Sequence, residues 1–223
     1  MALEMRIVRF FSLLLLALPA AAEPVLLDRV VAVFSMASDG TREVITLSDL
    51  ERETRLALMS RGALEAAEGE LSQEMLASAL DWLLSELLVL QEAELLDLAQ
   101  VDVAEVNREV EALKARFESE EAFVAFLRRH EIAPPDLSRA VRRRLVVGRY
   151  LDSRIRLAGA VTEGEVLGAY EQRRAELGEM EFEEARHLLR AQLEKERREE
   201  VVASLIRGLR SRAGVRILHR FGG

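Results

Sequence analysis

The last long helix of the sequence carries two apolar stripes that point in nearly opposite directions, and this feature constrains the fold more than any other. The helix is predicted over residues 181–212. One stripe is Phe182, Leu189 and Leu193, and the other is Val202, Leu205, Ile206 and Leu209. Seven consecutive charged residues, 194–200, separate the stripes, and successive residues turn by about 100° along a helix. Such a helix is expected to bridge two packed bodies, with its charged middle in solvent.

The first 22 residues have the layout of a secretory signal peptide. Two arginines precede the uncharged run FFSLLLLAL, and Pro19 and three alanines follow it. This order predicts cleavage between Ala22 and Glu23. A retained membrane anchor is the alternative, but the apolar run is shorter than the roughly 20 residues that span a bilayer. We therefore expect an exported mature chain that begins at residue 23.

The composition argues against several classes of protein. The chain has 39 acidic and 31 basic residues, a net charge of −8, which argues against nonspecific nucleic-acid binding. It contains no cysteine, so disulfides, a cysteine-ligated metal and lipid attachment through a cysteine are excluded. His130, His187 and His219 are far apart in the sequence, and phosphate-loop, zinc and nucleophile-elbow motifs are absent. We therefore predict no cofactor, no metal and no enzyme activity.

Cap and turn signals divide the first part of the chain into strands and helices. Residues 28–34 and 42–46 are rich in β-branched residues and predict a hairpin. Ser48 stands three residues before Glu51, a spacing that predicts the start of a helix over about 48–60. A link around Gly62 and Gly69 follows. Ser72 then caps the longest apolar helix, over about 72–98, whose leucines fall on one wide stripe.

Further signals continue to the end of the chain. Helix starts are predicted at Asp102, at Ser119, at the Pro134–Pro135 pair and at Thr162, and a closing strand is predicted over 215–219. The sequence therefore predicts a mainly α fold of about six helices with a small β-hairpin.

Seven arginines and one aspartate lie within residues 138–156. They project around much of the predicted helix instead of forming one stripe, so we expect a solvated helix whose arginines pair with acidic neighbours. A binding surface for a polyanion or for one acidic partner is the alternative.

The order of these elements resembles the SurA-type periplasmic chaperones. The segments that carry the resemblance are DRVVAVF, EVITLSDLE, LDWLLSELLVLQEAE, VTEGEVLGAYEQRR, FEEARHLLRAQLEKER and VRIL. It covers about residues 25–220, with 23–160 corresponding to the N-terminal chaperone core and 161–223 to the returning C-terminal helices and closing strand. The resemblance implies a helical cradle in which the last strand joins the hairpin, a periplasmic location, and binding of unfolded outer-membrane polypeptides.

Two departures from this family pattern stand out. The hairpin loop SMASDGT is longer than the tight turn that the family uses. In addition, many members carry parvulin-type prolyl isomerase domains of about a hundred residues between the helices that match VTEGEV and FEEAR. Only ELGEM separates those predicted helices in this chain. The resemblance therefore implies a chaperone module without the isomerase domain.

Flexible and amphipathic side chains suit a groove that receives varied polypeptides. The candidates for such a groove are Met59, Met75, Phe123, Phe126, Tyr150 and Tyr170. Packing between helices is the alternative for each, because apolar residues at helical spacing usually form the core. For the whole protein, we expect an ATP-independent chaperone. The alternatives are a prolyl isomerase and a secreted helical adaptor with one fixed partner.

Overall fold

A computed structural model describes residues 28–35 and 40–222. The predicted signal peptide, its cleavage site and the centre of the hairpin loop lie outside these residues. The described chain is mainly helical with one small sheet, as predicted. Its elements are β1 (Val30–Ser35), β2 (Arg42–Thr46), α1 (Leu47–Ser60), α2 (Leu64–Glu68), α3 (Gln73–Leu95), α4 (Val103–Lys114), α5 (Glu120–Arg129), α6 (Pro134–Leu157), α7 (Glu163–Gln172), α8 (Arg174–Leu177), α9 (Phe182–Ala213) and β3 (Arg216–Ile217).

The sheet joins the two ends of the described chain. Its strand order is β2-β1-β3, and both neighbours run antiparallel to β1. Val33 of β1 lies opposite Val44 on one side and opposite Arg216 on the other. The closing strand is therefore confirmed, although its regular part is limited to two residues.

Most of the predicted helix starts are confirmed by the caps. The side chains of Ser72, Asp102, Ser119 and Thr162 each accept a hydrogen bond from a backbone N–H in the first turn. The helix predicted over about 48–60 is confirmed as Leu47–Ser60, but its cap is not Ser48. Thr46, the last residue of β2, is the cap and forms a reciprocal capping box with Asp49.

The short helix α2 falls inside the segment that was predicted as a link. The Arg55 side chain of α1 donates hydrogen bonds to the carbonyl oxygens of Ala67 and Gly69 at the end of this helix. A contact from the preceding helix thus supplies hydrogen-bond donors that the segment itself lacks, which is why the cap pattern of the segment did not predict α2.

The buried apolar side chains form three clusters. The first lies between α3, α6, the end of α9 and the sheet, and includes Leu84 and Val146. The second lies between α1, α4, α5 and the start of α6, and includes Phe126. The third, smaller cluster lies between α7 and the start of α9, and includes Val166 and Leu189. Burial of these faces supplies most of the favourable free energy of folding.

Helix α9 bridges two of these clusters, as its stripes predicted. Leu189 packs in the third cluster with α7, whereas Leu209 packs in the first cluster with α3. The charged middle is largely exposed, and Lys195 Nζ lies 3.8 Å from the Glu199 carboxylate within it. Residues 194–200 therefore connect two packed bodies through solvent.

The predicted helix over 162–177 is divided into α7 and α8. Gly178 then adopts a φ of +63°, a conformation that favours glycine, and the chain turns into α9. The Tyr170 hydroxyl donates a 2.9 Å hydrogen bond to the Met180 carbonyl oxygen and holds this turn against α7. The short polar link thus returns the chain directly along α7.

Candidate functional site

Two surface grooves lie on either side of α1. The first, which we call the leucine groove, is bounded by β2, α1, α3 and α6 and has a volume of about 400 Å³. Its apolar lining is Val44, Ile45, Leu56, Leu83, Leu87 and Leu90. Leu56 and Leu83 are buried, whereas Leu87 and Leu90 are only partly buried. The floor of this groove therefore offers apolar surface that the fold itself does not fully cover.

The charged side chains around the leucine groove are paired with one another. The four ion pairs are Arg52 with Asp49, Arg139 with Asp136, Arg142 with Glu94, and Arg143 with Glu53. The first two pairs join residues three apart on one helix, and the other two cross between helices. The rim consequently presents nearly equal positive and negative charge. A ligand would meet an apolar floor inside a rim that is already neutralised.

A buried ion network fixes the spacing of α1, α3 and α6 beneath the groove. Arg143 of α6 donates from Nε to a Glu86 carboxylate oxygen at 2.9 Å and from a terminal nitrogen to Glu53. The Glu86 side chain of α3 is only 5% exposed. Burial raises the pKa of the Glu86 carboxyl above its usual range, although Arg143 opposes this effect. Burial also acts to lower the pKa of Arg143, but the two glutamates more than offset it and raise that pKa overall.

The second groove, which we call the tryptophan groove, lies on the other side of α1. It has a volume of about 290 Å³ and is lined by Met75 and Trp82 of α3 together with Leu58 of α1. The guanidinium carbon of Arg61 lies 6.0 Å from the centre of the Trp82 ring, at the limit of a cation–π contact. A further hollow of about 320 Å³ shares Arg61 and Trp82 and extends towards α6.

Of the six candidate groove residues, Met75 lines the tryptophan groove. The other five are Met59, Phe123, Phe126, Tyr150 and Tyr170, each no more than 8% exposed. Phe126 packs against Phe117 with ring centres 5.4 Å apart, and Tyr170 against Phe182 at the same separation. Neighbouring helices already cover the surface of these five side chains, which favours the alternative that they pack between helices.

The groove residues Val44, Leu87 and Trp82 were not singled out from the sequence, and Leu87 and Trp82 also pack against the first cluster. Leu87 belongs to the leucine stripe of α3, but helical periodicity does not distinguish the covered edge of a stripe from its open edge. The sequence weakly indicated that Trp82 lies at a groove, because a lone tryptophan beside an apolar stripe has both an apolar ring and a polar N–H. Val44 could have been found only from the placement of β2 at the edge of the sheet.

Three arginines of α6, Arg142, Arg143 and Arg149, pair with acidic residues of neighbouring helices, as the sequence indicated. Arg149 pairs with Glu105 of α4 and donates to the Gln100 carbonyl oxygen at 2.8 Å. Arg142 lies 3.7 Å from Glu94 of α3 and also donates to the Ala99 carbonyl oxygen. These arginines connect neighbouring helices, and their positive charges are largely neutralised by acidic residues of the protein itself.

Two negative observations apply to the residues that the structure describes. Over 28–35 and 40–222, no three histidine, aspartate or glutamate side chains lie together in a way that could hold a metal ion. Within the same ranges, no helix combines the length and the apolar character needed to cross a membrane.

Comparison with known proteins adds no assignment. No protein-family model matches the sequence, and no curated protein matches it.

Proposed function

We propose that this protein is an ATP-independent chaperone that binds unfolded exported polypeptides, including outer-membrane polypeptides, through the leucine groove. The observation that carries the proposal is an open groove whose floor is apolar and whose rim charges are already paired. An unfolded polypeptide exposes apolar side chains, and such a floor can cover them without a requirement for one sequence.

The energetics favour reversible binding. Covering apolar surface contributes about 25 cal/mol per Å², while association and ordering of the client oppose it. Micromolar affinity corresponds to about −8 kcal/mol, so a few shallow contacts suffice. Release at this affinity needs no nucleotide hydrolysis.

The tryptophan groove offers a second contact area on the opposite side of α1. Met75 is flexible and polarisable, and Trp82 presents a large aromatic surface. A long unfolded client that passes from one groove to the other would gain avidity, because the second contact becomes intramolecular.

The resemblance to SurA-type chaperones supports the same proposal. In that family the last strand joins the first hairpin, and β3 pairs with β1 in this chain. We propose a periplasmic location from the predicted leader, and we propose that the chain acts without an isomerase domain because the link between α8 and α9 is short.

Aggregation assays on unfolded clients test the proposed function. Purified protein should slow the aggregation of several unrelated denatured polypeptides, a porin among them. The Leu87→Gln variant places a polar group in the leucine groove and should require about fivefold more protein for the same effect, equivalent to about 1 kcal/mol of apolar contact. The Leu188→Gln variant is the matched control, since Leu188 is an exposed leucine of α9 away from both grooves. Thermal unfolding of both variants verifies that they are folded.

The alternatives give different results in the same set of experiments. Protection of none of the clients would contradict the chaperone proposal and favour an adaptor with one fixed partner. Turnover of a proline-containing peptide by pure protein would contradict the proposal that the chain is not an enzyme and would favour the prolyl isomerase.

A further inference from the structure

The outer edge of β2 carries backbone groups that have no partner among the described residues. The Val31 carbonyl oxygen accepts a hydrogen bond from Leu218 N–H at 2.9 Å, so Val31 points towards β3. A bulge lies between Val30 and Ala32, but the Val31 carbonyl belongs to the peptide unit shared with Ala32, so the Ala32 N–H points the opposite way, to β2. Backbone groups alternate in direction from Ala32 onwards, and Val33 therefore points towards β3, where it lies opposite Arg216. Its cross-strand neighbour Val44 consequently forms a non-hydrogen-bonded pair with it, and the N–H and C=O of Val44 point away from β1.

This edge is also where the leucine groove begins. In the described part of the chain, β2 has β1 as its neighbour on one side and no strand on the other. The Val44 side chain is 47% exposed and lines the groove beside Leu87 and Leu90. Backbone groups without a partner in the described part of the chain and an apolar floor thus lie next to each other.

We propose that the open edge of β2 binds an extended polypeptide segment as an added antiparallel or parallel strand, whose side chains enter the leucine groove. This inference rests on the proposed function and specifies how the client is held. Edge strands bind polypeptides in this way because main-chain hydrogen bonds supply affinity for any sequence, while alternate side chains fill adjacent pockets.

The charges favour an uncharged, alternating apolar segment as the occupant. The rim pairs Arg52 with Asp49 and Arg142 with Glu94, so a charged ligand residue would lose its hydration without gaining a free counter-charge. Segments that form transmembrane β-strands have this alternating pattern. An amphipathic helix satisfies its own backbone groups and could not use the N–H and C=O of Val44.

The Val44→Pro variant tests the edge directly. Proline is tolerated on an edge strand where the N–H points to solvent, but it removes the outward N–H and places a ring at the edge. We expect affinity for a short capped peptide with alternating valine and threonine to fall at least about fivefold, the loss of one net hydrogen bond. Val44→Thr keeps the N–H but loses apolar surface in the groove, so its smaller loss of affinity measures the side-chain contact, and the further loss in Val44→Pro measures the outward N–H. The matched control, Leu188→Gln, lies away from both grooves and should leave affinity unchanged. Fluorescence anisotropy of the labelled peptide, titrated with the full mature chain, measures the affinity of each variant.

A scan of the ligand backbone keeps the inference falsifiable even if the proline variant does not fold. N-methylation at successive positions of the same peptide should weaken binding at every second position, because only alternate N–H groups face β2. Equal effects at all positions, or none, would overturn strand addition while leaving the chaperone proposal intact. If the wild-type protein protects no client and binds no peptide, the proposed function itself fails. If Val44→Pro instead converts a dimer to a monomer in sedimentation, the edge pairs with a second copy and the inference is wrong.

Discussion

At the scale of single residues, Glu86 is a buried carboxylate beneath the leucine groove. It is a charged side chain in the interior of α3, and its burial is offset mainly by Arg143, which also serves Glu53. Buried ion pairs often contribute little net stability, because desolvation opposes the attraction. Their geometry nevertheless fixes which faces of α1, α3 and α6 meet, and these helices form the walls of the leucine groove.

The stability contributed by Glu86 should depend on pH. Burial raises its pKa in the folded state above the reference value of 4.5 that applies to an unfolded chain, so the folded state binds the proton more tightly. As the pH falls from about 7 towards 4.5, the wild type should therefore gain free energy of unfolding relative to Glu86→Gln, which cannot titrate. Urea unfolding of both proteins across this range measures the difference. If the free energy of unfolding of the wild type minus that of Glu86→Gln stays constant or decreases as the pH falls, the raised pKa of Glu86 is contradicted.

At the scale of helices and strands, the sequence predicted those features that depend on neighbouring residues. Ser72, Ser119 and Thr162 were identified as caps because a short polar side chain before an apolar run satisfies free N–H groups locally. The cap of α1 was misplaced because Thr46 is both the end of β2 and the cap. Helix α2 was missed because its carbonyl partner, Arg55, lies in another helix. Local patterns carry no information about partners that folding brings from elsewhere.

Alanine substitutions at two glycines, one inside α9 and one at its end, should change the free energy of unfolding in opposite directions. Gly214 ends the helix with a left-handed φ of +57°, which costs a residue with a Cβ about 1 kcal/mol. Gly208 lies in the helix interior, and a Cβ there would have nothing within 4 Å. Gly214→Ala should therefore lower the free energy of unfolding by about 1 kcal/mol, and Gly208→Ala should raise it by up to about 1 kcal/mol. Chemical denaturation measures both, and a shift of the two variants in the same direction would refute this account of the helix end.

At the scale of the whole molecule, the sequence predicted which faces are apolar but not which of them would stay open. The opposed stripes around Leu189 and Leu209 correctly indicated that α9 serves two bodies. Residue type, by contrast, gave five groove candidates, Tyr150 among them, that are buried. Whether a stripe is covered depends on how many helices reach it and at what angle, and these are properties of the assembled fold.

The small cluster between α7 and α9 should depend on the continuity of α9 for its stability. It contains only six buried residues, among them Val166 and Leu189, which is too little apolar burial for an independent fold. Its connections to the larger body are the segment that follows α6 and the charged middle of α9. Arg197 in that middle pairs with Glu165 at the start of α7.

A proline in the charged middle of α9 should separate the two bodies. Arg198 is exposed, so Arg198→Pro removes a backbone hydrogen bond and kinks the helix at a cost of about 3 kcal/mol without removing a core side chain. Hydrogen exchange should show lost amide protection in α7 and retained protection in α3, because Leu205, Ile206 and Leu209 still dock the end of α9. Arg198→Ala is the control and should leave both helices protected, since alanine continues the helix. Equal loss of protection in α3 and α7 would mean that the molecule unfolds as one unit and that α9 does not join two bodies of different stability.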